Sequence, residues 1–276
     1  MVPVQASTAE VVERGPMARD TYRLRIACPP IASRIRPGQF VMLRLPRRTD
    51  PLLGRAFALY DTDGHDLDIV FLVVGKMTSL MSRLNRGDEV ELWGPLGNGF
   101  PGYEGVEHLI LVAGGIGQTP FPALIRRVLG RHGYGSDQPN REVKQVTLYY
   151  GVRTADLLAG LSDFLERGAE VRLSSDDGSV GFAGRVTQLL EHDLAAGRLT
   201  GRMRVVGCGP EPMLHALSDL TARHGLPCDL SLETPMACGI GICFGCAVKV
   251  ATQEGWDYRR ACLDGPVFPA SELLWV

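Results

Sequence analysis

Short runs rich in apolar and β-branched residues, TYRLRIA (21–27), QFVMLRL (39–45), RAFALYD (55–61) and LDIVFLVVG (67–75), alternate with the turn sequences IRPGQ, DTDGHD and NRGDE. Extended runs broken by Pro and Gly at this spacing predict an antiparallel β-barrel over residues 1–103. The rhythm then changes. LILVAG, VTLYYG, VRLSS and MRVVGCG are each followed by a polar or helical stretch, the alternation expected of a parallel sheet with crossover helices. Residues 104–227 therefore read as a nucleotide-binding α/β domain, with 130–141 (GRHGYGSDQPNR) as a surface excursion between its first helix and second strand. Residues 228–276 show little periodicity and are expected to need a bound ion or cluster to fold. The expected fold class is thus multidomain, β plus α/β with a small C-terminal module.

Composition narrows the function classes. Lys and Arg (29) nearly balance Asp and Glu (31), so no basic excess points to nucleic acid or to an anionic membrane surface. The first residues carry no basic region followed by an apolar run, and the later run LILVAGGIG is short and broken by glycines. A cytoplasmic protein is expected. Of seven cysteines, four fall within 25 residues near the C-terminal end, a clustering that favours a metal or cluster site over a disulfide framework.

Those four, Cys238, Cys243, Cys246 and Cys262, are spaced C-x4-C-x2-C-x15-C, the pattern by which four thiolates hold a plant-type [2Fe–2S] cluster. Gly239, Gly241 and Gly245 suit a loop that must turn tightly and bring backbone N–H groups to sulfur. A structural zinc site is the main competing reading, although zinc ribbons usually present two C-x2-C knuckles and only Cys243 and Cys246 form one here. Disulfides or free thiols are the remaining alternative. Cys28 and Cys228 read as buried small hydrophobes.

Two glycine turns follow strands. AGGIGQTP places Gly114, Gly115, Gly117, Gln118 and Thr119 ahead of a helix whose first turn can hold Pro120, with free N–H groups available to a pyrophosphate. A plain strand-to-helix turn explains this motif equally well. In VVGCGPEPML, Cys208, Gly209 and Pro210 lie where strand C-termini line a ligand crevice, so Cys208 is the candidate beside a nicotinamide, with simple packing as the alternative. Asp176 and Asp177 end another strand, where a carboxylate can accept from ribose hydroxyls and repel a 2′-phosphate; an ordinary acidic turn is the other reading. Within the first segment, Arg55 can pair with a flavin phosphate, with an ordinary surface arginine as the alternative. Thr78 can cap the helix that starts in GKMTSLMSRL, with Gly75 and Lys76 ahead of it.

In their order, RAFALYD, GKMTSLMSRL, GPLGNGF, AGGIGQTP, DDGSVGFAGRV, VGCGPEPML and SLETPMACGIGICFGC…ACLDGPVF resemble the electron-transfer subunit of type B dihydroorotate dehydrogenase, within the ferredoxin-reductase superfamily. The resemblance implies an FAD-binding barrel, an NAD-binding domain and a [2Fe–2S] tail. It places Arg55, Phe57 and Ala58 at the flavin motif and Gly75 and Thr78 near the flavin phosphates. Departures are Ala56 for the family's Pro, Ala58 for Ser or Thr, and Met77 for Gly; the change at Ala58 removes a hydroxyl that would meet the flavin. A related subunit of NADH-dependent ferredoxin:NADP or sulfide-type oxidoreductases resembles the chain as well, but looks as if it has Asp where Cys238 stands.

The resemblance further implies electron flow between NAD(H) and a flavoprotein catalytic subunit in pyrimidine biosynthesis, in a heterotetramer with two copies of each subunit. A TIM-barrel site for dihydroorotate needs about 250 residues, and the three segments already use the chain. The orotate chemistry is therefore expected on the partner. A stand-alone NADH-driven reductase and a non-catalytic zinc module are the rival classes.

Overall fold

The computed structural model describes residues 4–137 and 143–275. Seven antiparallel strands form the first sheet: β1 (Gln5–Ala18), β2 (Thr21–Ala27), β3 (Phe40–Arg44), β4 (Arg55–Ala58), β5 (Asp61–Thr62), β6 (Asp66–Leu72) and β7 (Glu89–Leu96). Their order β4-β3-β7-β1-β2-β6-β5 gives the half-barrel expected from the turn-broken runs. Leu24, Ile26, Val41, Leu43, Ile69 and Phe71 alternate inward, and the short helix α1 (Pro29–Ala32) helps to close their core through Ile31 and Ala32. Helix α2 (Lys76–Met81) adds Met77 and Met81 to the same core.

The second sheet is built on parallel strands β8 (His108–Gly114), β9 (Gln145–Val152), β10 (Glu170–Ser175), β11 (Phe182–Ala183), β12 (Met203–Cys208) and β13 (Cys228–Ser231). Helices α3 (Phe121–Val128), α4 (Leu161–Glu166), α5 (Val186–Ala195) and α6 (Glu211–Arg223) are its crossovers. Strand order β11-β10-β9-β8-β12-β13 reverses direction between β8 and β12, which makes the C-terminal ends of those two strands the topological switch point.

The tail departs from the expected boundary at residue 228. β13 pairs in parallel with β12, the chain leaves the sheet to form the hairpin β14 (Ala247–Thr252) and β15 (Gly255–Arg260), and it returns as β16 (Val267–Pro269), antiparallel to β13. CDLS and VFP gain their stability from that pairing and from core residues Leu230 and Phe268, contacts that local periodicity does not report. GPLGNGF fastens the tail. The Asn98 side chain donates to the carbonyls of Asp264 (3.0 Å) and Val267 (2.8 Å) and accepts from the Val267 N–H (3.2 Å).

The predicted excursion at 130–141 also differs. Residues 138–141 lie outside the described residues, but the part before them is tied down. Tyr134 is buried and donates to Asp61 at 2.6 Å, while Asp137 pairs with Arg36 and Arg127. Asp61, on β5, also receives Arg126 (2.9 Å) and Arg167 (2.8 Å), so one buried carboxylate joins the half-barrel to α3 and to the end of α4.

Candidate functional site

A cavity of about 680 Å³ opens between the half-barrel and the switch point, in the size range of small-molecule sites. Arg55, Ala56, Phe57 and Ala58 of β4 form one wall, and Gly75, Lys76, Met77 and Thr78 at the start of α2 form a second. Thr119, Pro120 and Cys208 supply the floor from the α/β unit. Residues from four separate sequence motifs thus meet at one place because β4, α2 and the two glycine turns all end there.

Local geometry refines several expectations. Gly75, rather than Thr78, is the N-cap of α2; Thr78 stands three positions later and accepts the N–H groups of Val74 (3.0 Å) and Gly75 (3.1 Å). This is the reciprocal half of a capping box and leaves the Thr78 hydroxyl occupied. Arg55 donates to the carbonyls of Leu53 and Gly54, both at 3.0 Å, and Lys76 pairs with Asp50 across the rim. Ala58 lines the cavity with a side chain that carries no hydroxyl.

The two glycine turns abut. Gly114 ends β8, and Gly115, Gly117 and Gln118 form a 3₁₀ turn before Pro120 caps α3, so Pro120 stands at the N-cap just ahead of the first turn rather than within it. A Cβ on Gly117 would stand 2.3 Å from the carbonyl oxygen of Cys208, which is why the motif needs a residue without a side chain there. Gly209 and Pro210 continue this contact and, like Gly114, Gly115 and Gly117, stand beside the cavity wall rather than in it. Gln118 is fully buried and does not line the cavity, and neither of its amide atoms has a hydrogen-bond partner among the described residues. Asp177 lies away from the cavity on the turn after β10, where the Ser179 N–H (3.0 Å) and hydroxyl (2.6 Å) hold its carboxylate below the usual range.

Two titrating groups meet at the back of the cavity. Burial pushes the Cys208 thiol well above its ordinary value, with the Glu233 carboxylate adding to the shift, so Cys208 is a neutral thiol at physiological pH. Glu233 was not among the residues singled out by sequence. It is exposed and lines the cavity, where the protein around it raises its carboxyl pKa by desolvation. A lone glutamate after a four-residue strand carries no sequence signal for such a position.

Pro235 and Met236 line the cavity and lead straight into the cysteine loop. Among the described residues no three His, Cys, Asp or Glu side chains converge on a single ion position. The thiols come together as two pairs instead, Cys238 with Cys243 and Cys246 with Cys262. Two pairs suit a two-iron cluster, which divides four thiolates between its metals, whereas zinc takes four ligands about one ion. The donor set fits as well: burial opposes ionisation of Cys238, but the N–H groups of Cys243, Ile240 and Ile242 outweigh it and pull the thiol down to about 6. At Cys262 burial and the neighbouring Cys246 push the thiol up to about 12, a cost that bound iron would remove. Gly239 and Gly241 have the positive φ the loop requires (71° and 79°), but the third such turn falls on Phe244 (58°) and not on Gly245.

Comparison with known proteins follows the same three parts. Residues 8–100 match an oxidoreductase FAD-binding domain, 111–219 an oxidoreductase NAD-binding domain, and 233–274 the iron–sulfur cluster binding domain of dihydroorotate dehydrogenase B. A solved structure of an NADH-dependent reduced ferredoxin-NADP oxidoreductase superposes with a TM-score of 0.81 at 28% identity, covering 98% of this chain and 90% of that one. The electron transfer subunit of dihydroorotate dehydrogenase B (NAD(+)) from Desulforamulus reducens is 35% identical over 94% of both chains, and its Aquifex aeolicus homolog is 34% identical over 96% of this chain and 97% of its own. With all three domain matches in order and relatives alike along nearly their whole length, the chain belongs to the family of dihydroorotate dehydrogenase B electron transfer subunits.

Proposed function

We propose that the chain carries electrons between NAD(H) and the catalytic subunit of a dihydroorotate dehydrogenase. One observation carries this reading: a single cavity joins the flavin-motif strand to the switch point, and its wall runs directly into the four-cysteine loop. When bound, FAD converts two-electron hydride chemistry into the one-electron chemistry of a [2Fe–2S] cluster.

The residues divide the remaining tasks. Arg55 to Ala58 and Gly75 to Thr78 hold the flavin, Thr119, Pro120 and the neutral Cys208 shape the floor on which a nicotinamide rests, and the abutting turns at Gly114–Gly117 and Gly209–Pro210 present backbone to its pyrophosphate. Asp177, kept ionised by Ser179, disfavours a 2′-phosphate. Cys238, Cys243, Cys246 and Cys262 hold the cluster. Domain limits of 1–103, 104–227 and 228–276 are kept in this proposal by motif, although β13 and β16 of the last segment lie in the second sheet. No helix among the described residues is long and apolar enough to cross a membrane. A cytoplasmic heterotetramer with two copies of each subunit completes the proposal, and light scattering of the co-purified complex checks the stoichiometry.

The first experiment is an anaerobic visible spectrum with flavin and iron counts. Flavin and about two irons per chain, bleached by NADH and not by NADPH, are expected. Zinc in place of iron, or a flavin that NADH leaves oxidised, would end the reading. The likeness to the ferredoxin-NADP oxidoreductase favours a second assignment, in which the acceptor is ferredoxin; turnover with ferredoxin and none with a dihydroorotate dehydrogenase catalytic subunit would establish it.

Glu233 gives a pH prediction. Its carboxyl is neutral below its raised pKa and anionic above, and an anion facing the cavity favours a nicotinamide ring that gains positive charge as it gives up hydride. Flavin reduction by NADH is expected to quicken as pH rises through that pKa. In Glu233→Gln the rate should be flat with pH and lower by about tenfold at the alkaline end, which stopped-flow absorbance would measure.

A further inference from the structure

Strand pairing places three residues in one row across the half-barrel. Met42 on β3 stands opposite Ala56 on β4, and Trp93 on β7 stands opposite Met42. Directly opposed residues of antiparallel strands share a face, and all three pack in the cluster that also buries Cys246 and Cys262. Ala56 is at the cavity wall. At the other end of the row, the Trp93 indole N–H donates to the backbone carbonyl of Cys238 at 2.9 Å.

Packing locks this arrangement. A Cβ on Gly54, beside the flavin-motif strand, would lie 2.6 Å from the Trp93 ring, and one on Gly239, beside the first cysteine, would lie 2.6 Å from Met42 and 2.9 Å from Leu96. The loop that carries Cys238 is therefore seated directly on the row. Indole offers a donor and nothing else, so a bond to that carbonyl is the one polar role the side chain has.

We propose that Trp93 is a positioning residue for electron transfer: it pins the Cys238 end of the cysteine loop to the flavin strand, and the row Ala56, Met42, Trp93 is the protein path between flavin cavity and cluster. The inference rests on the electron-transfer reading above. Transfer between two held groups falls steeply with their separation. Hydrogen-bonding partners one layer beyond the ligands also fix ligand orientation, and losing one typically costs 10–100-fold in metal affinity or activity.

The test is Trp93→Phe, which keeps an aromatic ring and removes the N–H. Flavin content and the rate at which NADH reduces the flavin are expected to match wild type. Iron loss to a chelator should be about tenfold faster, and electron passage from reduced flavin to the cluster, followed by rapid-freeze electron paramagnetic resonance, should slow. A W93F protein that retains iron and passes electrons at wild-type rates overturns the assignment. A wild-type chain without iron instead removes the electron-transfer reading, and this inference with it, so the two failures are told apart. If W93F loses its flavin, hydrogen exchange in wild-type protein stripped of iron decides: slow exchange at the Trp93 indole N–H supports the pin, and fast exchange overturns it.

Discussion

A Cys246→Ser variant is expected to purify yellow instead of red-brown, holding its flavin but with iron reduced from about two per chain to a trace. Cys246 is 2% exposed and Cys262 1% exposed, so the pair lies on the buried side of the loop, where a hydroxyl is a poor ligand and no outside group can replace it. NADH should still bleach the flavin, because Cys246 does not line that cavity. Delivery of electrons to the catalytic subunit should fall to background. Limited proteolysis separates two accounts of the tail: if the cluster alone holds it, cleavage will spread across 232–276, whereas the strand pairing of β13 and β16 predicts cuts confined to the loop and hairpin. Retention of two irons in C246S would remove Cys246 from the ligand set.

Asp61→Ala is expected to destabilise the protein by roughly 3–5 kcal/mol, the usual cost of breaking a buried ionic group by deleting one partner. The Asp61 side chain is 7% exposed, and without it Arg126 loses its ion pair while Arg167 keeps only Asp163. Urea unfolding at neutral pH measures this. The pH dependence has a definite sign. Burial opposes ionisation of Asp61, but Tyr134, Arg167 and Arg126 together lower its pKa below the ordinary carboxylate value. Its contribution is therefore fully present above about pH 4, the unfolded value, and is lost as pH falls through the lower folded value. Wild type should shed this part of its stability in acid while D61A, lacking it from the start, should not. An equal acid loss in both proteins would show that Asp61 is not the linked group.

Residues differ in how far sequence reveals them. TYRLRIA became β2 residue for residue, and LILVAG and VTLYYG became central parallel strands, because continuous apolar runs between turns carry their own evidence. Cysteine spacing likewise pointed to the segment, 233–274, that matches an iron–sulfur cluster binding domain. Thr78 misled because a threonine ahead of an amphipathic run has the appearance of a cap, and only backbone geometry shows Gly75 in that role. The fourteen-residue β1 escaped notice since much of it faces solvent and its apolar positions are sparse. Asp61 and Trp93 acquire their importance from hydrogen-bond partners 65 and 145 residues away, and Glu233 from a cavity wall, none of which a local pattern encodes.

The tail that leaves the second sheet as β13 and rejoins it as β16 bears on whether the iron–sulfur module is portable. A chain ending before Cys228 would bare β12 along its whole edge, an invitation to strand-to-strand aggregation. Grafting the cysteine loop onto another reductase would thus mean transplanting both flanking strands and supplying the host with an equivalent of the Asn98 clasp. In this chain the module is closer to a splice in the sheet than to a bead on a string.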